Sequence, residues 1–141
     1  MIDSNEMLRY IYETSDMGCY GIQSILDTAG EGPFHDALQE QLTEYARLRE
    51  EADGRLRRRG IAPEGVGAMA KLSSRMMSGL KTLTDRSPSH IAEMMIEGNT
   101  MGMTKSIQHL HDYKEKDDIR ALANQLLKTE ENNIRQMKQF L

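Results

Sequence analysis

QLLKTEENNIRQMKQFL, residues Gln125 to Leu141, sets polar side chains inside an apolar helical stripe. At about 100° per residue, Leu122, Leu126, Asn133, Met137 and Phe140 share one face, and Glu130 falls within that sector. A carboxylate and an amide three residues apart therefore point inward. Helical bundles build metal sites with this spacing, a Glu followed at i+3 by a His. Here Asn133 stands at the histidine position.

Upstream, Ser87-Pro88 reads as an N-cap followed by an N1 proline, opening a helix over 88–114. Its inward face, Met95, Asn99, Gly102, Ser106 and Leu110 with Met103 beside them, is dominated by small residues. Lys114 to Asp118 is a charged turn, and the last helix covers 118–141. At the other end, Asp3 or Ser4 caps a helix over 4–28 with the stripe Met7, Ile11, Thr14, Gly18, Ile22 and Ile25. It stops at Ala29-Gly30-Glu31-Gly32, and Pro33 begins a second helix over 33–59. That helix turns Phe34, Leu38, Gln41, Tyr45, Leu48, Ala52 and Leu56 inward and ends at Gly60. So short a loop predicts an antiparallel pair. Between the pairs, Val66, Met69, Leu72, Met76, Leu80 and Leu83 predict an amphipathic helix over 66–83. At ~27 Å it is long enough to cross from one end of a bundle to the other. No alternating β pattern is present, so the fold class is all-α, a four-helix bundle of two hairpins in a single domain, 1–141.

Composition narrows the function classes. The chain has 141 residues and no apolar run of ~18, which excludes a membrane span. The opening MIDSNEMLRY lacks a basic flank and an apolar signal core, and the one cysteine, Cys19, suits a reducing compartment; the expectation is cytoplasmic. Interspersed charges summing to −4 argue against nucleic acid as a partner. The single basic run, Arg55, Arg57, Arg58 and Arg59, complements the negative end of a helix dipole. Eleven methionines against two Phe and no Trp indicate a plastic core or an interface.

The two halves echo one another. Glu13 with Met17-Gly18 matches Glu97 with Met101-Gly102, and Thr43-Glu44 with Leu48-Arg49 matches Thr129-Glu130 with Ile134-Arg135. Glycines at Gly18 and Gly102 predict close approach of two helices.

Two hairpins joined by a crossover, with a Glu and an i+3 partner in the middle of the last helix, resemble the ferritin-like superfamily over nearly the whole chain. SPSHIAEMMIEGNTMGM from Ser87 and LLKTEENNIRQMKQFL from Leu126 look closest to its uncharacterised bacterial members. The resemblance implies a di-iron centre held by one Glu from each of two helices and a Glu-x-x-His from each of the others. Carried over residue by residue, it retains Glu130 but meets Asn133 in place of the His. Gln41, Tyr45 and Leu48 occupy the inward face of the second helix, and Thr14 and Asn99 the central positions of the first and third. Glu13, Glu44 and Glu97 fall off the stripes, and Glu44 is followed at i+3 by Arg47, which binds no metal.

What remains is a polar cluster of Thr14, Gln41, Tyr45, Asn99, Glu130 and Asn133, in which Tyr45 or Asn99 is expected to donate to Glu130. Outside it, His109 and His111 face different directions, His35 and His90 stand alone, and Cys19 reads as a small buried hydrophobe. The resulting expectation is a non-catalytic ferritin-like protein with a degenerate di-iron site and no cofactor. It acts as a homo-oligomer, a dimer, in a structural or binding role; Ile96, Met103 and Ile107 supply a second apolar stripe for that contact. The alternative is a carboxylate-rich iron- or manganese-binding or oxidase protein in which Glu13, Glu44, Glu97 and Glu130 converge.

Overall fold

A computed structural model describes residues 1–63 and 84–141. The expected crossover helix over 66–83 lies outside the described residues. Within them the structure is helical throughout, with α1 at Ser4–Leu26, α2 at Pro33–Arg58, α3 at Pro88–Asp112 and α4 at Asp118–Lys138. No strand occurs among the described residues, and none of their helices is long and apolar enough to cross a membrane.

α1, α3 and α4 begin where a short polar side chain can satisfy the first free amides, whereas α2 follows Gly32 and has no side-chain cap. Asp3 accepts from Glu6 N at 2.8 Å, Ser87 from His90 N at 3.3 Å and Asp117 from Arg120 N at 3.0 Å. Pro33 and Pro88 sit at the first helical positions of α2 and α3, where a missing amide costs nothing. The end of α2 is equally well defined. Gly60, at φ 75°, donates to Arg57 O at 2.9 Å, and Ile61 N reaches back to Leu56 O at 3.0 Å. That pair of bonds closes the Schellman motif and needs the left-handed backbone a glycine supplies. All four helices stop one to three residues short of the sequence expectation, because the last turn of a helix frays into isolated turns.

Packing is unequal. α1 lies against α2 and α3 against α4 along their lengths, with α4 also touching α1 and α2. On the first pair, Arg59 hydrogen-bonds Ser4 and Asn5, Arg49 pairs with Asp16 at 3.0 Å, and Tyr45 lies against Gly18. The halves are stitched by Gln41 donating to Gln136 at 2.8 Å and by the edge-to-face rings of Phe34 and Phe140, 5.0 Å apart. Every residue of the stripe expected for α2 is buried, with Ala37 added. α1 buries a wider arc than expected, taking in Leu8, Tyr10, Ser15 and Cys19, because it is covered from two sides. Cys19 is fully buried, and burial pushes its thiol pKa up.

Gly18 and Gly102 correct one expectation. The space beside each is filled by a side chain from the neighbouring helix, not by a second backbone. A Cβ at Gly18 would stand 2.6 Å from the Tyr45 ring, and one at Gly102 would run into Glu130 Oε2. Each half thus has a notch on its first helix and a plug from its second.

Candidate functional site

Glu130 is 1% exposed, on the face of α4 that meets α3 and the centre of the molecule. Its hydrogen-bond donor is Ser106, whose Oγ donates to Oε1 at 2.5 Å. This replaces the expectation that Tyr45 or Asn99 would bind it. Ser106 sits on the inward face of α3, and the short hydroxyl leaves room for the longer Glu130 side chain to come to it. Behind it, Tyr10 from α1 stands 2.9 Å from Ser106 Oγ. Ser106 has one proton and gives it to Glu130, so Tyr10 is the donor in that contact. The result is a chain of three hydroxyl and carboxyl groups from α1, α3 and α4. The ring of Tyr10 is itself stacked on His109 at 3.7 Å between centroids.

Tyr45 and Asn99 form a separate chain. Tyr45 Oη donates to Asn99 Oδ1 at 2.9 Å, and Asn99 Nδ2 donates to Met95 O at 2.9 Å. Gln41 points away from Glu130 toward Gln136. Thr14, Gln41 and Asn133 are buried as expected, yet Thr14 Oγ1, Gln41 Oε1 and Asn133 Nδ2 have no hydrogen-bond partner. A buried polar atom without a partner costs ~1–3 kcal/mol, a cost eased for Thr14 and Asn133 by the Tyr10 and Tyr45 hydroxyls beside them.

The electrostatics follow from burial. Removal from water raises the Glu130 carboxyl to about 8, the Ser106 hydrogen bond opposes this, and Glu131 adds to it. At neutral pH this carboxyl is an uncharged acid. Burial likewise lifts Tyr10 to about 12 and Tyr45 higher still, with the Glu130 charge adding to each.

Of the alternative metal set, Glu130 is the buried member. Glu44 pairs with Arg47 on the surface of α2, Glu97 is exposed on α3, and Glu13 is half-buried on α1. Among the described residues, no three His, Cys, Asp or Glu side chains gather where one ion could touch them all. A di-iron pair needs several charged oxygen and nitrogen donors, and the groups around Glu130 are neutral hydroxyls, phenols and amides. The donor set does not fit that centre. Within the arginine run, Arg55 pairs with Glu51 and Asp118 and Arg57 with Asp53, while Arg59 hydrogen-bonds Ser4 and Asn5.

An apolar groove of about 250 Å³ opens between α1 and α3. Its walls are Met17, Gly21, Ile22 and Ile25 on one side and Ile91, Met94, Met95 and Met101 on the other. At its base lie Tyr10, Thr14, Tyr45, Asn99 and Glu130, and Glu97 and Lys105 are among its other lining residues. Tyr10 and Ser106, absent from the expected cluster, are the groups that tie it together. Ser106 lies on the expected inward stripe of α3 and was legible there as a small residue; Tyr10 lies one position off the expected stripe of α1. No family model, curated protein or solved structure matches the chain.

Proposed function

We propose that this chain is a ferritin-like bundle of two antiparallel hairpins whose di-iron site is degenerate, and that it works by binding and not by catalysis. The contacts of Arg59 with Ser4 and Asn5, of Arg49 with Asp16 and of Tyr45 with Gly18 support the hairpin reading, since they run in opposite directions along α1 and α2. Glu130 carries the functional reading. A lone buried carboxyl, bonded to Ser106 and held neutral by burial, is suited to hydrogen bonding and poorly suited to a cation. The exposed side chains Tyr20, Met101 and Ile107 support a second copy as part of the assembly.

Metal analysis of protein purified without chelators tests the reading. The expected result is iron and manganese far below one ion per chain, unchanged in Glu130→Gln. One or more ions per chain, lost in Glu130→Gln, would establish the metal-binding alternative instead.

A further inference from the structure

We propose that the groove between α1 and α3 is a binding site for an uncharged, elongated apolar molecule bearing one carbonyl group, with the carbonyl seated at Glu130 and Thr14. The proposal rests on the binding reading above and adds the ligand class and its site.

Three observations converge. The groove's volume, about 250 Å³, exceeds the ~150 Å³ cavity that accepts a benzene ring in an apolar protein interior. Its walls are methionines, isoleucines and glycines, which bind hydrocarbon and adapt to its shape. Its base, by contrast, holds unspent hydrogen-bonding capacity. Thr14 lines the groove at 6% exposure, and its Oγ1, beside the Tyr10 hydroxyl, has no partner at hydrogen-bond distance. Glu130 lines it too, with Oε1 taken by Ser106 and Oε2 beside the notch at Gly102.

The chemistry selects the headgroup. Ser106 donates to Oε1, so the acid proton of neutral Glu130 resides on Oε2 and needs an acceptor. The Thr14 hydroxyl is a second donor within the same groove. Two donors call for an oxygen with two lone pairs, which a ketone or ester carbonyl supplies. A charged headgroup seated at Glu130 and Thr14 is disfavoured because two neutral donors cannot replace its hydration.

The probe is 2-nonanone, with n-nonane and nonylamine as controls, measured by calorimetry and thermal shift at pH 6.5. The ketone is expected to bind at least tenfold tighter than either control. Gly21→Leu is the blocking variant: Gly21 lines the groove, a Cβ there meets nothing within 4 Å, and leucine is the better helix former. It should fold and lose ketone binding by tenfold or more. Glu130→Gln, which still presents an N–H donor, should retain binding within about threefold, whereas Glu130→Leu, left with Thr14 alone, should lose most of the preference for ketone over alkane. Ketone binding unaffected by Gly21→Leu, no preference over n-nonane, or tighter binding of the amine would each overturn the proposal. These outcomes are independent of metal content, so the site can fail while the binding reading stands.

Discussion

Glu130 couples the site to stability through its proton. The folded protein keeps that proton up to about pH 8, whereas an ordinary glutamate releases it near 4.5. Between those values the folded state binds one proton more than the unfolded state, so stability falls as pH rises, by ~1.4 kcal/mol per pH unit. The contribution is fully present below 4.5 and is lost by the time pH passes the folded value. Glu130→Gln, which carries no titrating proton, should lack this slope. Urea unfolding of both proteins at half-unit steps from pH 5 to 8.5 measures the difference, and parallel curves would show that the carboxyl is ionised in the fold. The burial of Glu130 was legible from its place inside an apolar stripe. Its partner was not, because wheel geometry gives the face of a residue but not its height against a neighbouring helix. Ser106 and Asn99 share the inward face of α3, and the relative shift of α3 and α4 decides which of them meets the acid.

The N-terminus of α4 concentrates several contacts in one side chain. Asp117 caps the helix through Arg120 N and also accepts from Tyr113 Oη at 2.7 Å, while Arg120 reaches back to Tyr113 O. Tyr113 is fully buried, and Asp117 is the acceptor its hydroxyl meets. Asp117→Ala should therefore cost ~1 kcal/mol for the cap and ~1–3 kcal/mol for the orphaned phenol, more than an ordinary cap removal. Asp3→Ala, which removes only a cap, gives the baseline in the same thermal or chemical melt. If the two variants lose the same stability, the Tyr113 bond contributes nothing. Elements of this kind are where sequence reads most clearly: proline, glycine and capping residues act locally, and they located all four described helices to within three residues. α2 was legible to the last core position, since its buried residues keep to one 3–4 stripe. α1 was not, since a helix covered from two sides buries residues such as Tyr10 and Cys19 beside its main stripe.

At the scale of the molecule, the helices pair closely within each half, and α1 and α3 stand apart above Glu130. Helix counting reaches the first property, because short connections force neighbours together. The second depends on spacing between elements distant in sequence and left no trace in periodicity. Open apolar surface also bears on assembly. Met101 is 49% exposed and Tyr20 57%, and both belong to helices that border the groove. Sedimentation equilibrium is expected to give twice the 16.1 kDa chain mass, reduced toward a monomer in a Tyr20→Lys, Met101→Lys double variant. A monomer in the unaltered protein would remove self-association from the reading.

The notch-and-plug arrangement ties distant positions into inherited couples. A hydrogen at position 18 is what admits the Tyr45 ring, and a hydrogen at 102 is what admits the Glu130 carboxyl. Descendants of this sequence can enlarge either glycine only by shortening its opposite number, so drift at 102 would erase the central acid without any change selected at 130 itself.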